Sequence, residues 1–170
     1  SEYDFPLLET KIISIITESG KIVESIDSEE KGLCHIIFDK SNFYCEEGGQ
    51  CNDVGNIKIS NEDIFEIVQV SKIRDIIVHS GKFKMLSNDK KSLRIGDSVH
   101  LSLDKLHRFS TMQNHTSTHL LNFAIKKVLP ESVTCQLSSK VTSTGLVLDL
   151  AVYGEKLSMH TIKEAQDLVR

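Results

Sequence analysis

Asn114–Pro130 reads NHTSTHLLNFAIKKVLP, and it divides the chain into two kinds of sequence. Within it Leu120, Leu121, Ala124, Ile125, Val128 and Leu129 recur at the spacing of a helix face. Asn114 is placed to cap such a helix, and Pro130 to end it. At about 100° per residue, His115 and His119 fall roughly 40° apart on one face. They flank the apolar stripe instead of sitting in its middle, as expected at the lip of a pocket. An i, i+4 histidine pair is a geometry that a zinc ion accepts. The same spacing also suits two half-buried histidines with no ligand. The glutamate of the H-E-x-x-H peptidase motif is absent, because Thr116 stands there, which argues against a zinc peptidase.

Upstream of this stretch the period is two, not 3.6. Segments 11–17, 20–26, 33–39, 55–60, 64–73, 75–80 and 97–104 are short and β-branched. Turn sequences punctuate them: ESG, DSEEKG, EEGGQCNDVG, SNED, SNDKKS and RIGD. Seven short strands at close spacing predict a small antiparallel barrel or sandwich. Downstream, SVTCQLSSKVT and GLVLDLAVYG read as two more strands. Ser158 then caps a last helix with Ile162, Ala165, Leu168 and Val169 on one face. The expected fold class is α+β: a small antiparallel β-barrel over 1–105, carrying the glycine-rich loop, then a mixed two-layer helix-and-sheet part over 106–170.

Composition sets limits. The 170 residues are 39% hydrophobic and 26% charged, with net charge −4. A chain of that charge has no overall attraction for nucleic acid, and DNA is not an expected partner. The clusters Lys82/Lys84, Lys90/Lys91/Arg94 and Lys126/Lys127 offer local phosphate contacts, though solvated lysines explain them as well. No run reaches the ~20 apolar residues of a membrane span. The first residues, SEYDFPLLETK, lack the basic and apolar regions of a signal peptide and have no Met. A piece of a longer protein is therefore expected. Cys34, Cys45, Cys51 and Cys135 show no C-x-x-C spacing and read as reduced thiols of an intracellular protein.

The wider pattern resembles a known family. NHTSTHLLNFAIKKVL resembles the N-H-[TS]-A-T-H-[LIM]-L-x-x-A-[LI]-[RK] signature of the editing domain of alanyl-tRNA synthetases and their free-standing relatives. FDKSNFYCEEGGQCNDVGNI (Phe38–Ile57) resembles L-D-x-[TS]-x-F-Y-x-E-x-G-G-Q-x-x-D-x-G. VHSGKF and RIGDSVHLSLD are similar to the later barrel strands. VTCQLSSKVTSTGLVLDL resembles V-x-Q-x-G-S-x-V-x-x-x-x-L-R-F-D-F. The blocks run in the family's order over nearly the whole chain.

The resemblance implies hydrolysis of serine or glycine from mischarged tRNA(Ala), with the tRNA acceptor end as partner and zinc as cofactor. It makes His115 and His119 metal ligands, with a C-x-x-x-H expected past residue 170 to complete the site. Thr118 becomes the hydroxyl that helps recognise the serine side chain, and Gln136 reaches the ester or its attacking water. Gly48, Gly49 and Gln50 form a loop near the pocket, or equally a turn of the barrel. Ser138 replaces the family's Gly, and Ser117 its Ala. The ATP-dependent aminoacylation core is expected N-terminal to this chain. A free-standing deacylase and a non-catalytic module that binds tRNA or protein are the alternative readings. A cytoplasmic location is expected, with a mitochondrial one also compatible.

Overall fold

The computed structural model describes residues 5–59, 63–130, 132–154 and 157–169. It packs as two compact units. The first holds residues 5–46 and 52–108, and the second residues 47–51 and 109–169.

The first unit is a closed barrel. Its strands are β1 (Leu8–Ile16), β4 (Cys34–Phe38), β7 (Ile76–Lys84), β6 (Ile64–Ile73), β5 (Gly55–Lys58) and β9 (Ser98–Leu103), paired in that order, all antiparallel. Pairing of β9 back onto β1 closes the ring and removes both sheet edges. A short β2 (Ile22–Val23) adds to β1. The pair β3 (Ser25–Asp27) and β8 (Ser92–Arg94) forms a separate ribbon. The segment read as one strand over 20–26 is thus broken at Glu24, and β8 lies in a stretch read as turns. The expected SNED turn falls largely on residues 60–62, outside the described residues.

Alternation fills the barrel. Cys34, Ile36 and Phe38 point inward from β4, and Val99, Leu101 and Leu103 from β9. On β6 the buried set is Phe65, Ile67 and then Val70. The phase slips because the register shifts between Ile67 and Gln69, the mark of a bulge. A similar shift between Ile12 and Ser14 carries β1 from Ile12 to Ile15. Burial pushes the Cys34 thiol up to about 11, with the nearby Glu30 and Glu18 carboxylates adding to it.

Two further features organise this unit. His79 is fully buried on β7. Its Nδ1 donates to the Ile36 carbonyl at 3.3 Å and its Nε2 accepts from Ser41 Oγ at 2.7 Å. Phe38 and Phe43 present ring edges or faces to it at 4.7 and 5.5 Å. Asp53, also buried, accepts from the Tyr44 amide at 2.6 Å and from Arg108 Nε at 2.8 Å. Arg108 Nη2 bonds both the same carboxylate and the Asn42 carbonyl.

The second unit is two-layered. Helix α1 (Lys105–Val128) contributes to it from Phe109 onward, and α2 (Met159–Leu168) follows a hairpin of β10 (Val133–Thr142) and β11 (Gly145–Tyr153). Ala124, Ile125, Leu129 and Ala165 form its core, with Leu121, Val128, Leu150 and Val152 packed around them. Ser158 caps α2 as expected, accepting from the Thr161 amide at 3.1 Å. Asn114 does not cap α1. The helix starts nearly three turns earlier, where Asp104 Oδ1 accepts from the His107 amide at 2.9 Å. In LHRFSTMQ the apolar residues Leu106, Phe109 and Met112 recur every third position, a helical spacing that continues the helix N-terminally although all three stay exposed.

Candidate functional site

The histidine pair is set by the helix. Residues 112–118 of α1 hold three consecutive hydroxyls that bond back to the preceding turn: Thr116 to Met112 O at 3.2 Å, Ser117 to Gln113 O at 2.9 Å, and Thr118 to Asn114 O at 2.9 Å. These bonds satisfy the hydroxyls within the helix. The imidazoles on either side turn toward each other and lie within hydrogen-bond distance. His115 is half-buried and His119 exposed. Their Nε2 atoms stand 3.1 Å apart, with ring centroids at 4.9 Å and planes at 61°. Nitrogens at 3.1 Å subtend about 98° at an ion bound at the usual Zn–N length of about 2.05 Å, against about 109° for a tetrahedron.

That spacing fits a shared zinc ion at two of four positions. His115 Nδ1 is buried and has no partner among the described residues. A ligating imidazole is commonly fixed through its other nitrogen, and that support is not supplied here. No group of three or more His, Cys, Asp or Glu side chains among the described residues is placed to hold a metal. Cys45 and Cys51 therefore do not extend the pair. Cys51 Sγ lies 3.8 Å from Thr111 Oγ1 instead.

Thr118 is buried, and its hydroxyl hydrogen is directed at the Asn114 carbonyl. It retains lone pairs and can accept, not donate, toward a ligand. Gln136 is exposed on β10, next to a register shift between Gln136 and Ser138. Ser138, where the family pattern has Gly, donates to the Asp149 carboxylate. Its φ is not positive, since Arg74 is the one such non-glycine among the described residues, so no glycine is demanded there.

The glycine-rich loop, expected with the barrel, packs in the second unit. Val141 N donates to Gly49 O at 2.8 Å and Cys51 N to Val141 O at 2.9 Å. Gln50 pairs with Val141 as a parallel bridge. The loop is in effect a short extra strand along the edge of β10. Gly49 (φ 84°) needs to be glycine, because a Cβ there would lie 2.0 Å from Ser139 O.

One side chain absent from the sequence-based set joins these parts. Asn122 lies three residues past His119, on the same helix face. Its Nδ2 donates to Gln136 Oε1 at 3.2 Å, linking β10 to the histidine face. The signal was the i, i+4, i+7 spacing of 115, 119 and 122. Of the basic clusters, Lys84 pairs with Glu66, Lys90 with Asp27 and Glu29, and Lys91 with Asp89. Lys126 and Lys127 close the last turn of α1, where the helix dipole favours cations.

The family model described as "tRNA synthetases class II (A)" matches residues 2–107. This chain belongs to the alanyl-tRNA synthetase family. The mitochondrial alanine–tRNA ligase of Drosophila melanogaster is 31% identical over 98% of the chain and 17% of its own length. The alanine–tRNA ligase of Fervidobacterium nodosum is 36% identical over 98% of the chain and 18% of its length. The cytoplasmic enzyme of Dictyostelium discoideum is 33% identical over 76% and 14%. The chain thus spans about a sixth of the length of the curated synthetases it matches. The family match covers the barrel, and the first two relatives extend the likeness across nearly the whole chain. No helix among the described residues is long and apolar enough to cross a membrane.

Proposed function

We propose that this chain is the editing region of an alanyl-tRNA synthetase, whose parent activity is ATP-dependent ligation of alanine to tRNA(Ala), and that it hydrolyses Ser-tRNA(Ala) or Gly-tRNA(Ala) at the acceptor end. The observation that carries the reading is the 3.1 Å approach of His115 Nε2 to His119 Nε2. His115 and His119 would hold zinc, with the remaining ligands supplied from outside this chain. Zinc bound there supplies Lewis acidity and lowers the pKa of bound water.

The chain's own groups do the selecting. An aminoacyl ester is already activated, so the harder task is to admit serine and refuse alanine. Thr118, its hydrogen committed to the Asn114 carbonyl, accepts a hydrogen bond from a serine hydroxyl. Alanine leaves that buried acceptor unpaired, a penalty of about 1–3 kcal/mol. Gln136 faces solvent on β10 and is the group that reaches the ester.

The test uses the full-length protein that contains this chain. His115→Ala and His119→Ala should each remove zinc from the editing site and lower Ser-tRNA(Ala) hydrolysis by at least about 10²-fold. Alanylation of tRNA(Ala) should persist. Equal loss of both activities would refute the separation of functions. Unaltered hydrolysis without bound zinc would refute the metal role. A full-length protein with neither zinc nor hydrolysis would instead be a binding module.

A further inference from the structure

We propose that Asn122 is a positioning residue for the editing site: it fixes the Gln136 side-chain amide so that its NH2 group, not its carbonyl oxygen, faces the ester. The inference rests on the deacylase reading above and deepens it. Asn122 occupies a position that the family pattern leaves open, so nothing in the motif assigns it a role.

Gln136 is exposed on its strand, beside the irregularity at Leu137. A free glutamine there would sample many rotamers, and ordering it costs up to about 2 kcal/mol. The bond from Asn122 Nδ2 to Gln136 Oε1 at 3.2 Å holds it. Because Oε1 accepts that bond, the two Nε2 hydrogens are turned elsewhere. In this arrangement Asn122 presents its NH2 group to Gln136 and keeps its Oδ1 inward.

Asn122 also bears a cost that packing alone would not impose. Its Oδ1 is buried and has no partner among the described residues. Burying an unpaired acceptor is unfavourable by about 1–3 kcal/mol, and leucine would fill the volume without it. What asparagine provides and leucine cannot is the donor to Gln136.

The chemistry calls for a donor. Water oxygen attacks the ester carbonyl carbon, the bond to the ribose oxygen breaks, and the amino acid and a free ribose hydroxyl leave. During attack the carbonyl oxygen gains negative charge. An N–H aimed at it stabilises the transition state more than the ground state, and losing one such donor typically lowers kcat about 10²–10³-fold.

The test is a double-mutant cycle on Ser-tRNA(Ala) hydrolysis in the full-length protein. Asn122→Asp is nearly isosteric but can only accept, so it draws the Gln136 NH2 to itself and exposes Oε1. We expect kcat to fall about 10²-fold with KM within about twofold and zinc content unchanged. Once Gln136→Ala is in place, adding Asn122→Asp should cost almost nothing further. Asn122→Ala runs through the same cycle, with a smaller fall, should the aspartate variant prove unstable. Multiplying effects of Asn122 and Gln136 substitutions, or an Asn122→Asp kcat within about threefold of the parent, would overturn the inference while leaving the deacylase reading intact. A parent protein that does not hydrolyse Ser-tRNA(Ala) would end both. Independently of activity, the Gln136 side-chain NH2 resonances should shift in Asn122→Asp.

Discussion

His79 shows how a single residue sets a pH limit on the barrel. Burial pushes its imidazole down to about 4, against a smaller upward pull from the Ile36 carbonyl bond. The folded state therefore binds fewer protons than the unfolded chain, where an ordinary histidine titrates near about 6.5. Stability from neutral His79 is fully present above about 6.5, is lost progressively as pH falls, and is gone below about 4. Its size is at most about 3 kcal/mol. Urea titrations of the chain at several pH values should show this slope, and His79→Gln should flatten it at a lower overall stability. None of this was legible in the sequence. VHSGKF marks a barrel strand, but the burial of its histidine depends on Ser41 and Ile36, residues about forty positions away. By contrast, the convergence of His115 and His119 was legible, because an i, i+4 relation within one helix needs no tertiary information. Asn122 shares that helix face, but its role is not legible locally, since its partner Gln136 is on another element.

At the scale of elements, the glycine-rich loop is the instructive case. A turn of the barrel and a loop at the pocket read equally well from EEGGQCNDVG. Its backbone bonds to Val141 put it beside β10, and the two glycines then differ. Gly48 (φ 60°) has open space around a would-be Cβ, whereas at Gly49 that atom would strike the Ser139 carbonyl. Gly48→Ala should cost about 1 kcal/mol for the left-handed backbone alone. Gly49→Ala should cost more than about 2 kcal/mol, because the same strain adds to a steric conflict that only separating the loop from β10 relieves. Equilibrium unfolding of both variants checks the ranking, and equal costs would mean the loop does not pair with β10 in solution. The strand Ile64–Ile73 has the bounds that the sequence suggests, since the run is rich in β-branched residues and Asp75 follows, although the bulge after Ile67 interrupts its alternation. The start of α1 lies ahead of Asn114 because Asp104 supplies the cap, and the apolar residues of its first turns, Leu106, Phe109 and Met112, are exposed and join no buried stripe.

For the whole molecule, the closed barrel and the helix-and-hairpin unit follow from the switch to helical spacing after Phe109 and the return to strand-like segments after Pro130, which is why the fold class is legible in the sequence. Chain-level function is harder to read, because a metal site is a property of all its ligands. Two imidazoles 3.1 Å apart fill half a tetrahedron, and no third His, Cys, Asp or Glu among the described residues joins them. Zinc affinity rises steeply with ligand number, since each protein ligand after the first is contributed without a new loss of translational freedom. Calorimetric titration should therefore find zinc binding to these 170 residues weak, with Kd above about 1 μM, or about −8 kcal/mol. The full-length protein should hold one equivalent through dialysis. His115→Ala should abolish both. Tight binding by the 170-residue chain would mean that a further ligand lies within it, and the proposed zinc site would then need no segment from outside the chain.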